Sequence, residues 1–195
     1  MKIICITDRQ HCKRPFKEQI EEICKGAPDM VVLREKDLQE PEYRDLALSI
    51  KSICDVYRVE FCIHTFADVA DELQAHLWVP FGEFMDLDSY RVPSVMVSVH
   101  SIGEAIEAQS KGAESLVFGN VFETTCKPGL PAKGLDALKA IVGSALVPVY
   151  GIGGIDSTNA GQVIDTGAAG VCMMSGLMAS DDPKREIEEC RKACP

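Results

Sequence analysis

Several groups of residues in this chain have the types and spacing to do chemistry. Two glycine-bearing segments come first, Gly151-Ile152-Gly153-Gly154 and Ser175-Gly176. Glycine lets backbone N–H groups approach an anion with no Cβ in the way. Together the segments make a phosphate cradle of Gly153, Gly154, Ser175 and Gly176, with the Ser175 hydroxyl as an extra donor. Arg34 and Lys36 come next. They occupy alternate positions at the end of an apolar run, so both can face one side and hold a second anionic group. The same pattern suits a salt-bridge lattice with Glu35 and Asp37. His64, Ser98 and Asn120 also stand where apolar runs end. A lone histidine such as His64 is more often a satisfied structural residue than a base, and Asn120 can orient or donate but cannot take a proton. His100 is explained by capping geometry beside Ser101, and His11 and His76 have no companions. The polar stretch 121–133 carries Thr124, Thr125, Lys127, Gly129 and Lys133. It is too polar for a packed connection and reads as a substrate loop or lid.

Short apolar runs must position these residues. They are Lys2–Thr7, Met30–Arg34, Glu60–His64, Ala75–Val79, Val95–Val99, Ser115–Gly119, Pro148–Ile152 and Gly170–Met174. Each is rich in Val, Ile or Leu, as strands buried on both faces are. Amphipathic stretches alternate with them: Phe16–Cys24, Glu42–Cys54, Ala67–Glu72, Glu83–Tyr90, Ile102–Ser110, Leu135–Val142, Ser157–Asp165 and Pro183–Ala193. Ser101 and Glu104 form a capping box, and Ser157 precedes the seventh helix. Strands recurring about every 25 residues have the spacing of βα units. Strict alternation predicts one α/β domain spanning 1–195, a (β/α)8 TIM barrel. The alternative is an open doubly wound sheet, which lacks here the GxGxxG that would open its first helix. In a barrel the working residues stand where strands end, and the usual phosphate site follows strands seven and eight. That is where the glycine segments fall.

Composition narrows the function classes. The 195 residues are 46% hydrophobic, with a formal net charge of -10 and a pI near 4.9. An acidic body repels nucleic acid and anionic lipid, so neither is an expected partner, and local donors must hold any anionic substrate. No apolar run reaches the roughly 18 residues that cross a membrane, and the start is too quickly charged for a secretory signal, so the expected location is cytoplasmic. Nine cysteines, an odd number scattered through strands and helices, make no disulfide framework and no zinc spacing, and read as reduced core residues.

At this level of detail the residues resemble the thiamine phosphate synthase and TenI superfamily along almost the whole chain. The motifs are Leu33-Arg34-Glu35-Lys36-Asp37, Ser98-Val99-His100-Ser101 with Glu104-Ala105, and Val117 to Thr124, followed by Lys127, Gly134-Leu135 and Gly151-Ile152-Gly153-Gly154-Ile155. The resemblance implies the same barrel and a small phosphorylated thiazole as ligand. It implies substrate contacts from Arg34, Lys36, Ser98, Thr124 and Lys127. Two activities occur in the superfamily. A synthase joins hydroxymethylpyrimidine diphosphate to a thiazole phosphate with magnesium on the diphosphate, and a TenI-type tautomerase moves a proton on a thiazole phosphate carboxylate. The synthase pattern has an Asn-Asp pair after strand three and an acidic residue soon after strand four. Here those places hold His64-Thr65 and Trp78-Val79-Pro80-Phe81-Gly82, and Val32 replaces a glutamine. Magnesium needs carboxylate oxygens, so no metal and no other cofactor is expected. The stretch Phe118-Gly119-Asn120-Val121-Phe122-Glu123-Thr124 reads like TenI, with Asn120 where TenI has its histidine. The expectation is a TenI-like thiazole tautomerase of thiamine biosynthesis, with His64 as relocated base and Asn120 beside it. The alternatives are a thiamine phosphate synthase with an altered metal site and a non-catalytic, ligand-binding or regulatory relative. A homo-oligomer is compatible with all three.

Overall fold

Alternating side-chain direction explains how the strands build this molecule. In β1 (Lys2–Ile6), Ile4 and Ile6 point one way and Ile3 and Cys5 the other, and all four are buried. A strand with no solvent face must lie in the middle of a layered structure. The remaining strands follow suit: β2 (Met30–Leu33), β3 (Glu60–His64), β4 (His76–Pro80), β5 (Val95–Val99), β6 (Ser115–Gly119), β7 (Val149–Ile152) and β8 (Gly170–Met173). In this computed structural model, which describes residues 1–124 and 129–194, they pair in parallel in sequence order. β8 returns to β1, closing an eight-stranded barrel. The closed topology, and not the open sheet, is the one formed.

Two apolar clusters share the strands. Ile4, Ile6, Met30, Val32, Cys62, Trp78, Met96, Val117, Tyr150 and Cys172 fill the barrel interior. The intervening residues pack outward against the helices α1 (Phe16–Lys25), α2 (Glu40–Tyr57), α3 (Ala67–Leu73), α4 (Phe81–Asp86), α5 (Ile102–Lys111), α6 (Gly134–Ser144), α7 (Ala160–Ile164), α8 (Ser175–Met178) and α9 (Pro183–Lys192).

The second helix runs longer than Glu42–Cys54, and three others differ in placement or existence from the sequence reading. The fourth is placed earlier than Glu83–Tyr90, because extended Pro80 caps it directly at the end of β4 and buried Phe84 anchors it. The seventh starts at Ala160, and Ser157 is not its cap. The Asp156 carboxylate takes the Thr158 N–H (2.8 Å) and hydroxyl (2.6 Å), and Asn159 Oδ1 takes the Asp156 N–H (3.0 Å), which holds 156–159 in a turn. The short α8 carries Ser175 and Gly176 at its start, where the sequence reading had only a strand end. At α5 the Ser101 hydroxyl accepts from the Glu104 N–H (3.1 Å), while the Glu104 carboxylate reaches back to the His100 N–H (2.7 Å), one residue before the cap. Cys5, Cys12, Cys24, Cys54, Cys62, Cys172, Cys190 and Cys194 are free thiols. Cys126 lies outside the described residues. Among the described residues no helix is long and apolar enough to cross a membrane.

Candidate active site at the mouth of the barrel

The parity that fills the barrel also builds its site. Two residues beyond an inward-facing position, the chain faces inward again. Extending Ile4 and Ile6 gives Asp8. Extending Met30 and Val32 gives Arg34 and then Lys36, and Cys62 gives His64. Trp78 gives Pro80, Met96 gives Ser98 and His100, and Cys172 gives Met174. All of these line one cavity of about 540 Å3 at the carboxyl ends of the strands. Loops and turns add His11, Asn120, Thr124, Gly153 and Gly154, and Ser175 joins them from the start of α8. A comparable hollow of about 570 Å3 lies outside the barrel along Phe16 of α1 and Leu46 of α2, without convergent strand-end groups.

The structure therefore brings together His64, Asn120, Arg34, Lys36, Ser98, Thr124, Gly153, Gly154 and Ser175. Gly176 sits one position into α8 and does not line the cavity. Lys127 lies outside the described residues. Sequence reasoning gave no role to Asp8, explained His100 by capping and did not consider Trp78 as a wall residue, although the two-residue rule points to all three. His11 offers no such signal. It arrives through a 3-10 turn, Arg9–His11, whose cap is Asp8, and its Nδ1 lies 2.8 Å from the Asp8 carboxylate.

Glycine is required in the cradle. Gly153 has φ +99° and Gly154 φ +65°. A Cβ on Gly153 would stand 2.5 Å from the Cβ of Asn120, and one on Gly154 2.4 Å from the Glu123 carbonyl oxygen. The β6 loop lies against this turn, with the Val121 N–H donating to the Ile152 carbonyl (2.8 Å) and the Phe122 N–H to the Gly153 carbonyl (3.0 Å). The base of the loop is closed by N–H donation from Lys133 to the Asn120 carbonyl (2.9 Å) and from Gly134 to the Val121 carbonyl (3.1 Å). Asn120 donates from Nδ2 to the Phe122 carbonyl (3.2 Å).

On the other side, His64 Nδ1 lies 2.7 Å from the Thr65 hydroxyl, and its ring stands edge-on to Trp78 with centroids 5.6 Å apart. Burial, and after it the charges of Arg34 and Lys36, push its pKa down to about 3. His64 is thus a neutral ring at ordinary pH and a weak base. The indole N–H of Trp78 donates to the Ser98 hydroxyl (2.8 Å). Glu35 and Asp37 do take part in a salt-bridge lattice, but its cation is Arg9, which the sequence reading did not include. One guanidinium nitrogen lies 2.9 Å from Glu35 and 2.6 Å from Asp37, while Arg34 and Lys36 face the cavity.

Among the described residues no three His, Cys, Asp or Glu side chains converge as a metal site. The carboxylate at the described wall is Asp8, engaged with His11.

Comparison with known proteins agrees with this architecture. The family model described as thiamine monophosphate synthase matches residues 3–177. A thiamine-phosphate synthase of Clostridium acetobutylicum is 35% identical over 191 residues, covering 94% of this chain and 90% of the relative. One of Pyrococcus furiosus is 32% identical over 197 residues, covering 98% and 94%. The solved thiamine phosphate pyrophosphorylase of Pyrococcus furiosus superposes with a TM-score of 0.84 at 29% identity, covering 98% of this chain and 94% of that one. A 3-hexulose-6-phosphate synthase at 16% identity and TM-score 0.68 shares the fold.

Proposed function

The chain belongs to the thiamine monophosphate synthase family, TenI-like proteins included, and on that premise we propose that it couples a hydroxymethylpyrimidine diphosphate to a thiazole phosphate. The observation that supports this reading is that two groups of donors suited to anions line one cavity. Arg34 and Lys36 enter from the end of β2, and the cradle of Gly153, Gly154 and Ser175 closes β7 and β8. One pole takes the diphosphate and the other the thiazole phosphate. The pyrimidine methylene carbon then loses diphosphate and gains the thiazole. Fixed positive charge beside a departing diphosphate favours that step, since negative charge builds up on the leaving group. The names of the relatives move the weight from proton transfer to coupling. So do the two residues a proton shuttle would need. His64 is held neutral, and Asn120 is turned to the carbonyl of its own loop.

Chromatography of the purified protein with both substrates tests the reading. Thiamine phosphate is the expected product, and Arg34→Ala should lower its formation by about 10²-fold or more, the size of effect seen when a transition-state charge donor is removed. The chain's single tryptophan is Trp78 in the cavity wall, so its emission reports ligand entry separately from turnover. Binding without product would leave a ligand-binding role. A second reading, isomerisation of a thiazole phosphate carboxylate, draws on the same two poles, because a carboxylate also suits Arg34 and Lys36. Turnover of that compound alone, with no coupling, would favour it.

A further inference from the structure

Glu35 lies between two cavity-facing cations and points the other way. Arg34 and Lys36 line the cavity, whereas Glu35 is 4% exposed and does not. A buried carboxylate needs its oxygens satisfied, and the first strand's loop does this completely. The Thr7 hydroxyl donates to Oε1 at 2.7 Å, and the Arg9 N–H lies 3.1 Å and 3.3 Å from the two oxygens. The Arg9 guanidinium donates to Oε2 at 2.9 Å. That guanidinium then grips Asp37 with two nitrogens, each at 2.6 Å, and Gln10 adds a bond to Asp37 at 3.1 Å. The Thr7 hydroxyl also accepts from the backbone N–H of Arg34 at 2.9 Å. Residues 34 to 37 are therefore pinned on both flanks of the cations. Four consecutive residues alternate in role, with 34 and 36 facing the cavity and 35 and 37 facing the latch.

We propose that Glu35 is a positioning residue: through Thr7 and Arg9, and with Asp37 as outer partner, its carboxylate fixes the β2 loop so that Arg34 and Lys36 enter the cavity together. Each cation is on a long side chain whose ordering costs rotamer freedom. A loop already fixed removes the backbone share of that cost before an anion arrives. The proposal rests on the reading of Arg34 and Lys36 as an anion pole.

The test compares wild type with Glu35→Ala, Glu35→Gln and Asp37→Ala, using inorganic diphosphate as probe in calorimetry. NMR relaxation of the Arg34 side-chain Nε–H group, without ligand, is measured in parallel. Glu35→Ala should weaken diphosphate by about tenfold or more and leave the Arg34 side chain mobile, whereas Glu35→Gln, which keeps an acceptor for Thr7 and Arg9, should recover to within about threefold. Asp37→Ala, at an exposed position, should fall between them, and it decides the matter if Glu35→Ala does not fold. Wild-type affinity and wild-type Arg34 order in either folded alanine variant would overturn the proposal. So would an equal loss of order at the Gly153 and Ser175 amides, which would mark a general structural role. If wild type does not bind diphosphate, the functional reading fails, and the Arg34 relaxation still judges the positioning role.

Discussion

His64 shows how much a residue's meaning depends on its surroundings. Its folded pKa, about 3, lies below the ordinary histidine value near 6.5. Between those values the unfolded chain binds a proton that the folded chain refuses. Stability therefore rises with pH through this window and is lost as pH falls from about 6.5 towards 3, by up to a few kcal/mol. His64→Gln should flatten that part of a denaturation-against-pH curve, and an unchanged slope would show that His64 is not the group responsible. The same burial predicts that turnover carries no His64 ionisation between about pH 5 and 8. Asn120 stands where the resemblance to TenI proteins implies a histidine. Asn120→His should raise any isomerisation of a thiazole phosphate carboxylate by about 10²–10⁴-fold, the usual contribution of a general acid–base group. A rate no higher than wild type would show that the position does not reach the reacting carbon. Most of the site was legible in the sequence, because strand parity places Arg34, Lys36, His64 and Ser98 on one surface. Asp8, Trp78 and His100 obey the same rule and were legible in principle. His11 was not, since a 3-10 turn and a contact with the Asp8 carboxylate bring it to the wall. The neutral state of His64 was not legible either, because it depends on packing between β3 and β4.

The β7 turn is the element on which the proposed phosphate cradle and folding meet. Gly154 has a left-handed backbone and no room for a Cβ beside the Glu123 carbonyl. Gly154→Ala should therefore cost about 1–3 kcal/mol through backbone strain and push the β6 loop away. The expected result is a lowered Tm together with loss of thiazole phosphate binding, read from Trp78 emission. Unchanged affinity would remove the turn from the phosphate site. A neighbouring change at Ser175 to Ala removes only a hydroxyl, so it should weaken binding with little effect on Tm. The strands were legible to within one or two residues, because each is an apolar run buried on both faces. Helix ends were legible where a side chain caps them, as Ser101 does for α5. They were illegible at α7, where Asp156 and Asn159 spend their side chains on a turn, and at α8, which has only four residues in which to show a period.

At the scale of the whole molecule, the proposed function asks a chain of net charge -10 to hold ligands that are themselves anionic. The long-range field opposes them, so attraction has to be local. The barrel arranges this by bringing β2, β7 and β8 to one mouth, with two cationic side chains on one flank and backbone turns on the other. A magnesium ion would ordinarily neutralise a diphosphate, but it needs carboxylate oxygens, and the described wall offers Asp8, already beside His11. Under the proposed reading, Arg34 and Lys36 together would supply the same charge as that ion from the cavity wall. Diphosphate affinity should then be the same in chelator as in millimolar magnesium, and coupling should change by less than about twofold between the two conditions, because charge held by side chains needs no metal. Added salt should weaken diphosphate binding in both, since exposed local charges are screened within about 8–10 Å at ordinary ionic strength. Coupling abolished by chelator and restored by magnesium would show that the metal is required after all, held by the diphosphate itself with Asp8 as its anchor. Asp8→Asn would then abolish the restoration. If the cations suffice, Asp8→Asn leaves diphosphate binding intact, because the charge that neutralises the ligand comes from β2.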